Sequence, residues 1–369
     1  MIHLPGGDAR RILSGACLKL FSCPSCGQRL YFENSRCLGC GAEVLYDCDQ
    51  QLFVKQGDGA FACVNAEEAL CNWRAPGEER FCRACELNRT IPDLSIAGNR
   101  GRWVRVEAAK RRLVYALLSF GLPVGPKQSP GDEAGIAFDF LAPGPGGGPG
   151  GEHILTGHES GLITLNVAEA DSVERERMRI AMGESYRTLL GHFRHEIGHY
   201  YWDRLIRDDA EWHQRFRSLF GDESVDYEQA LRDHYSHVPQ AGWMESHISA
   251  YAASHPWEDW AETWAHYLHI VDTLEMADAL GMSIGAMRME TGPLVTPDAV
   301  GDDGAETVPP PTGHSFDRAL ERWIVLSNAS NSINRCMGLP DLYPFVISQG
   351  VAEKLAFVDE LLAAKGNPR

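Results

Sequence analysis

The sequence predicts an α+β protein that is mostly helical and carries a small β-type unit at its N-terminus. Nine of its 11 cysteines lie between residues 23 and 85, which is typical of a small metal-stabilised unit with short strands. Beyond residue 98 the apolar residues recur with helical periodicity. We therefore expect a cysteine-rich domain over residues 1–97 and a second domain over residues 98–369.

Composition and charge narrow the class of protein. The chain has 369 residues, of which 44% are hydrophobic, and it carries 34 Lys and Arg against 51 Asp and Glu. The net charge of −17 disfavours a nucleic-acid-binding surface over the whole protein. The N-terminus does not resemble a signal peptide, and no apolar run reaches the ~20 residues that span a bilayer. We expect a cytoplasmic protein without membrane contact, whose cysteines bind metal rather than form disulfides.

Two Cys-x-x-Cys-Gly motifs, Cys23–Gly27 and Cys37–Gly41, open the cysteine-rich segment. Each is typical of a zinc knuckle, in which two thiolates lie on a tight turn and the glycine permits a positive φ. A redox Cys-x-x-Cys would not need the second pair. The spacing therefore predicts one structural zinc held by Cys23, Cys26, Cys37 and Cys40.

A second set of cysteines predicts a further structural zinc, so that one or two are expected in all. Only its last pair has knuckle spacing. A closed four-thiolate site leaves no position for substrate, so neither site is expected to be catalytic. The ligands of the second site would be Cys63, Cys71, Cys82 and Cys85. Three other cysteines are interpreted as small buried hydrophobes, namely Cys17, Cys48 and Cys336.

The local charge becomes basic between Arg74 and Arg112. This stretch could bind nucleic acid, or it could be a solvated helix face that pairs with the acidic remainder of the chain. We favour ion pairing because aromatic side chains for base stacking are not interleaved with the basic residues. If the zinc unit has a macromolecular partner, we expect that partner to be a protein.

Local sequence patterns in the second domain predict several helices, a strand and two irregular segments. Helical periodicity runs from Trp103 to Phe120, and the glycine- and proline-rich segment 142–152 predicts a flexible linker. The run Gly161–Val167 predicts a strand, either in the core or paired with an extended peptide. Near the C-terminus, an exposed loop is expected over 291–313 and helices over 316–326 and 351–364, with asparagines and prolines marking a turn region between these helices.

A His-Glu-x-x-His motif lies in an apolar helical segment, residues 186–206. His195 and His199 are four residues apart on one helical face, where both imidazoles can reach one zinc ion at roughly 2.0–2.1 Å. Glu196 then lies beside the metal and can take a proton from the metal-bound water. Gly198 costs a mid-helix position ~1 kcal/mol relative to alanine, which suggests that another segment approaches closely. The motif also occurs by chance in many helices, so a third ligand is needed.

A second helical motif can supply that ligand. Pro256 suits the first turn of a helix, and Glu258 and Glu262 follow on one face of it. Glu258 can complete the zinc site, while Glu262 can accept the outer N–H of a ligand histidine. The main rival assignment makes Glu262 the ligand. Glu258 could alternatively do no more than favour the helix N-terminus electrostatically.

With both motifs, the chain resembles the Glu-zincin metallopeptidases, in which a later helix supplies the glutamate that completes the zinc site. Residues Tyr251–Glu262 are similar to the tyrosine-to-glutamate segment of anthrax lethal-factor-type peptidases. The resemblance favours Glu258 as the ligand, although glutamate at 262 departs from the commoner aspartate. It also implies that Tyr251 hydrogen-bonds the oxyanion of the tetrahedral intermediate. A tyrosine packed in the core is the alternative.

Residues 188–205 and 255–269 also resemble the bacterial family of zinc-binding metallopeptidases with an N-terminal zinc-ribbon domain. This likeness covers most of the chain and implies a zincin-type peptidase domain, one catalytic zinc besides the structural ones, and a peptide or protein substrate. In zinc peptidases a strand ahead of the metal helix often lies along the cleft, which makes Gly161–Val167 the candidate for peptide pairing.

Taken together, the motifs and the resemblance favour a cytoplasmic zinc metallopeptidase. His195, His199 and Glu258 would hold zinc, Glu196 would act as general base and then pass the proton to the leaving amine, and Tyr251 would assist the oxyanion. The alternative is a non-catalytic zinc-ribbon module for protein interaction, built on a zincin scaffold without turnover.

Overall fold

The computed structural model describes residues 20–57, 59–142, 156–182, 184, 186–236, 242–282 and 316–366. Helices dominate these residues and the sheets are small, so the predicted α+β class is confirmed. The expected linker at 142–152, apart from its first residue, lies outside the described residues. So do the expected loop at 291–313 and Cys17.

The cysteine-rich unit is built from two-stranded antiparallel pairs. Gly27 and Gly41 have φ of 74° and 76°, as expected for the residue after each knuckle. The short strands therefore position the cysteine-bearing turns, and a small β-type zinc-ribbon region is confirmed. The strands are β1 Phe21–Ser22, β2 Arg29–Leu30, β3 Val44–Asp47, β4 Leu52–Lys55, β5 Phe61–Ala62 and β6 Arg74–Ala75.

Aromatic packing joins this unit to the first helix, α1 (Asn99–Ser119). The ring of Tyr115 on α1 lies 5.1 Å from that of Phe32 and 5.7 Å from that of Tyr46. Trp73 completes the contact and is fully buried. One continuous apolar core therefore runs from the cysteine-rich unit into the helical part.

A four-stranded sheet follows, with strand order β7-β8-β10-β9. Its strands are β7 Asn88–Thr90, β8 Ala137–Leu141, β9 Gly157–Glu159 and β10 Leu162–Asn166. β10 runs parallel to β8 and antiparallel to β9, and its Ile163 and Leu165 are fully buried. Because both its edges are paired, the run expected at 161–167 is a core strand and not the strand that can pair with a peptide. Within the described residues, β9 is the edge on that side.

The remaining helices form the larger part of the molecule. They are α2 Ser172–Ala181, α3 Leu189–Leu205, α4 Ala210–Phe220, α5 Tyr227–Ser236, α6 Pro256–Ala279, α7 Asp317–Cys336 and α8 Gln349–Lys365. The predicted start of α6 at Pro256 is confirmed, and the His255 side chain caps it by accepting from the backbone N–H of Trp257 at 3.1 Å. Among the described residues, none of these helices has the length and hydropathy needed to cross a membrane.

Helix α7 is longer than the sequence predicts. It continues through the asparagine-rich stretch that was expected to form a turn, and it ends at Cys336. Asn331 exchanges two hydrogen bonds with the backbone of Tyr343, at 2.8 and 2.9 Å, so its amide is satisfied inside the helix. Cys336 is exposed at the helix end, so its interpretation as a buried hydrophobe is wrong.

The basic stretch makes ion pairs with acidic residues of the same chain. Arg102 and Arg105 both bind Asp171, each at 2.7 Å. Arg112 donates to the Glu33 carboxylate, also at 2.7 Å. These three arginines are therefore engaged within the molecule, as the ion-pairing interpretation expects.

Candidate metal centres

Two helices meet unusually closely where the His-Glu-x-x-His motif lies. A Cβ atom at Gly198 of α3 would lie 3.2 Å from the Ala261 Cα and 3.2 Å from the Trp264 ring of α6. The indole N–H of Trp260 donates to the Gly198 carbonyl at 2.8 Å. The glycine is therefore explained by the close approach of α6, which brings the first turn of α6 against the histidines of α3.

That approach brings the three predicted zinc ligands together. The Glu258 Oε2 atom lies 2.9 Å from Nε2 of His195 and 3.6 Å from Nε2 of His199. One ligand atom from each residue lies within 4.8 Å of the other two, and all three residues are buried. Two imidazole nitrogens and one carboxylate oxygen in this arrangement match the His₂Glu set of catalytic zinc sites, which keep a fourth position open.

The directions in which the pKa values of His195 and Glu258 are shifted also indicate a site that stabilises positive charge. Burial alone would lower the pKa of His195, but its contacts with Glu258 and Glu262 outweigh burial and hold that pKa well above its usual value. Burial would raise the pKa of Glu258, but the two histidines hold it well below its usual value. Its Oε2 atom has no well-aligned hydrogen bond among the described residues. A metal ion would satisfy that buried oxygen, so the residues present fit zinc.

Glu262 lies on the opposite side of His195 from Glu258. Its Oε1 atom is 2.8 Å from Nδ1 of His195, and its Oε2 atom accepts a hydrogen bond from Ser249 at 2.7 Å. Burial would raise the pKa of Glu262, but its bond to His195 outweighs this and lowers that pKa to about 2. A carboxylate at Nδ1 orients the ring and leaves Nε2 for a metal, so this geometry favours Glu258 over Glu262 as the ligand.

His199 is held by packing rather than by a hydrogen bond. The Trp257 ring lies with its centroid 4.0 Å from the His199 ring. Nδ1 of His199 is buried and has no hydrogen-bond partner in the described part of the chain. The Trp257 indole therefore holds the plane of the His199 imidazole by ring packing. The His195 imidazole is instead held by the Glu262 carboxylate.

Both predicted catalytic residues neighbour His195, Glu196 in the chain and Tyr251 in space. Glu196 is buried on α3 between the two histidines in sequence. Tyr251 precedes α6, and its ring centroid lies 5.9 Å from that of His195. Burial, reinforced by the charge of Glu258, raises the pKa of Tyr251 well above its usual value. Its hydroxyl therefore stays protonated and can donate a hydrogen bond.

Two side chains of the centre were missed by sequence reasoning. Tyr227 of α5 donates its hydroxyl to Oε1 of Glu258 at 2.6 Å, and Ser249 holds Glu262 as described above. Tyr227 belongs to a polar segment with scattered aromatic residues and no ligand spacing. No sequence signal could have identified it, because its role depends on where α5 is placed in the fold.

The first cysteine set forms a compact, partly exposed cluster. The Sγ atoms of Cys23 and Cys40 are 3.7 Å apart, as are those of Cys26 and Cys37. In a tetrahedral zinc site with Zn–S bonds of about 2.3 Å, neighbouring sulfurs are about 3.8 Å apart. The cluster therefore has the dimensions of a four-thiolate zinc site.

The second cysteine set, with its looser spacing in sequence, also converges. Cys71 Sγ lies 3.6 Å from that of Cys82 and 3.7 Å from that of Cys85, and Cys63 completes a fully buried group. This cluster abuts α1, since Cys85 Sγ is 3.8 Å from the carboxylate of Glu107. It too has the dimensions of a four-thiolate zinc site, whereas Cys48 belongs to neither group.

Comparison with known proteins finds two family models that match this chain. Residues 99–361 match the family described as "Putative zinc-binding metallo-peptidase", and residues 20–96 match a zinc-ribbon domain. The chain is 41% identical over 343 residues to the uncharacterized proteins Mb2598c of Mycobacterium bovis and Rv2568c of Mycobacterium tuberculosis. The match covers 92% of this chain and 93% of each relative. Among solved structures, none matches this chain.

Proposed function

The chain belongs to the zinc-binding metallo-peptidase family, and from this premise we propose that it is a zinc-dependent peptidase. The observation that carries the proposal is the convergence of ligand atoms from His195, His199 and Glu258 within 4.8 Å, next to Glu196 in the chain. Zinc bound there would polarise a substrate carbonyl and acidify a water molecule.

The chain's own residues supply the remaining chemistry. Glu196 accepts a proton from the attacking water on its carboxylate and then gives it to the leaving amine nitrogen. Tyr251 donates a hydrogen bond to the oxygen that becomes negative when the carbonyl is attacked. Glu262 keeps the His195 ring in one orientation and tautomer. The burial of the centre excludes bulk water, which strengthens these interactions.

The edge of the four-stranded sheet supports a proposal for the substrate class. Strand β9 packs against α3, and its His158 ring lies 6.2 Å from the ring of His199. Within the described residues, β9 pairs only with β10 and so offers its other edge to an extended chain. Backbone pairing along β9 would place a peptide beside the metal centre, so we propose a peptide or protein substrate.

Replacement of the proton acceptor tests the proposal. Glu196→Gln keeps the size of the side chain but removes the base. We expect at least a ~100-fold loss of peptide hydrolysis with unchanged zinc content. Hydrolysis would be followed on a peptide library, and zinc would be measured by elemental analysis. Glu321→Gln, the same change at an exposed residue of α7, is the matched control and should retain activity.

Two outcomes would count against the proposal. Full hydrolysis by Glu196→Gln would exclude the proton-transfer role. A parent protein that holds zinc at His195 and His199 but cleaves no peptide would instead favour the alternative, a zinc-ribbon interaction module on a non-catalytic scaffold.

A further inference from the structure

Tyr227 forms a hydrogen bond to Glu258, the predicted third zinc ligand. It lies on α5, which is neither of the two helices that carry the predicted ligands. Its hydroxyl donates to Oε1 of Glu258 at 2.6 Å, a short hydrogen bond to a carboxylate. Glu258 is 1% exposed, so water cannot easily replace this donor. The other oxygen, Oε2, faces the two histidine Nε2 atoms at 2.9 and 3.6 Å.

The two oxygens of Glu258 are thus assigned to different partners. A free carboxylate can rotate or bind a metal through both oxygens, which would disturb a tetrahedral site with three protein ligands. Because Oε1 is engaged by Tyr227, Oε2 alone faces the point where the histidines converge. Without the hydroxyl, Oε1 would be buried and unpaired, a costly state that rotation of the carboxylate would relieve.

The position of Tyr227 is set by aromatic packing. Its ring lies 5.2 Å from that of His255 and 6.0 Å from that of Trp257, both at the start of α6. Tyr251 lies within hydrogen-bonding reach of the Tyr227 hydroxyl. No residue of α5 is fully buried, so the helix is held at this end chiefly by what Tyr227 contacts.

We propose that Tyr227 is a positioning residue that holds Glu258 as a single-oxygen metal ligand and thereby sets the metal affinity of the centre. The inference rests on the proposed metal centre at His195, His199 and Glu258. It extends that centre to α5, because any displacement of this helix would remove the donor.

The test measures zinc affinity and does not depend on activity. Full-length protein would be equilibrated against a series of zinc buffers, and bound zinc per chain would be measured. His195→Ala provides the baseline of zinc held by the cysteine clusters. We expect Tyr227→Phe to weaken zinc binding at the histidine centre by about 10- to 100-fold, as is typical when a partner of a metal ligand is removed.

Matched variants separate this role from general damage. Phenylalanine keeps the ring packing, and Tyr235→Phe removes a hydroxyl from the same helix at a residue that is 56% exposed. Tyr235→Phe should leave the zinc affinity unchanged. In a Glu258→Ala background, Tyr227→Phe should have no further effect, because its action passes through Glu258.

The possible results distinguish a failure of the proposed Tyr227 role from a failure of the proposed metal centre. Zinc affinity of Tyr227→Phe within twofold of the parent, or an equal loss in the Glu258→Ala background, would overturn the role of Tyr227. If His195→Ala loses no zinc relative to the parent, the metal centre itself fails. If the parent binds zinc there and Tyr227→Phe weakens it, the inference stands whether or not peptides are cleaved.

Discussion

At the scale of single residues, His195 has a carboxylate partner at each ring nitrogen in the candidate metal centre. One nitrogen faces Glu258 and the other faces Glu262, at 2.9 and 2.8 Å. Glu262 has one methylene more than the aspartate that is commoner at this position, yet its carboxylate still contacts Nδ1 of His195. Ser249 holds the second oxygen of that carboxylate. The ring of His195 is therefore oriented from the side opposite Glu258 by the Glu262 carboxylate.

Removal of the Glu262 contact should weaken metal binding. We expect Glu262→Ala to lower the zinc affinity of the histidine centre by about 10- to 100-fold, because the ring of His195 loses its orientation and basicity. Glu262→Gln keeps an oxygen that can accept the Nδ1 hydrogen and should lose less. Competition with a zinc chelator would measure both variants.

The exposed Glu321 on α7 offers the control for this series. Glu321→Ala should bind zinc as the parent does. A Glu262→Ala variant with parental affinity would mean that packing alone orients His195.

At the scale of elements, the contact between α3 and α6 determines the centre. The sequence shows a costly glycine in a helix, but only the packing shows which segment approaches it. The fully buried Trp260 and Trp264 lie along that interface. The helices must be this close for Glu258 to reach both histidines.

A methyl group at Gly198 should therefore disturb the centre. Gly198→Ala places a Cβ 3.2 Å from the backbone of α6, where overpacking costs about 1–3 kcal/mol. The helix preference of alanine returns about 1 kcal/mol. We expect a net loss of up to about 2 kcal/mol in the free energy of unfolding, measured by urea denaturation, and weaker zinc binding at His195 and His199.

Gly101, in the first turn of α1, is the control: alanine should raise the free energy of unfolding there, whereas it should lower it at Gly198. Near its Cβ position the closest atom is the end of the flexible Arg105 side chain, at 3.8 Å. Gly101→Ala should therefore stabilise the protein by about 0.4–1 kcal/mol. If both variants changed stability in the same direction, close packing at Gly198 would not be the reason for that glycine.

At the scale of the whole molecule, the zinc-ribbon region and the helical part are not separate bodies. Strand β7 of the N-terminal region pairs with β8, and the second cysteine cluster lies against α1. Lys110 and Glu107 are both fully buried at this junction, 2.9 Å apart, and Lys110 also bonds Asn88 of β7. Lys110 therefore pairs with the buried Glu107 carboxylate beside the second cysteine cluster, which offsets part of the cost of burying that carboxylate.

Loss of the Lys110 charge should destabilise the junction. Lys110→Met keeps the volume of the side chain but leaves Glu107 buried without its cation. Breaking a buried ion pair in this way costs about 3–5 kcal/mol, which we expect as the decrease in the free energy of unfolding. Chemical denaturation would measure it, and hydrogen exchange should show lower protection in α1.

An exposed pair on α2 provides the comparison. Arg177 and Glu174 lie one turn apart, at 2.5 Å, with the arginine side chain 70% exposed. Arg177→Met should change stability by no more than about 0.5 kcal/mol. A similar small effect for Lys110→Met would show that the buried pair does not connect the two parts.

Sequence alone predicted the residues that carry the proposed chemistry. Motif spacing predicted the first cysteine set, the pair Cys82 and Cys85, and the pair His195 and His199, because metal ligation demands particular residue types at short separations. The choice of Glu258 over Glu262 came from the family resemblance. Local signals likewise predicted the start of α6, whereas the boundary after residue 97, the cytoplasmic location and a protein partner stay predictions.

Only the tertiary structure decided how these residues are supported. It placed Glu262 on the far side of His195, brought Tyr227 to Glu258, buried the 162–166 strand inside the sheet and extended α7 through Asn331. Each of these depends on segments that are distant in the chain and on hydrogen bonds made across them. Spacing within one helix or turn carries no information about such contacts, because they arise only when the elements pack.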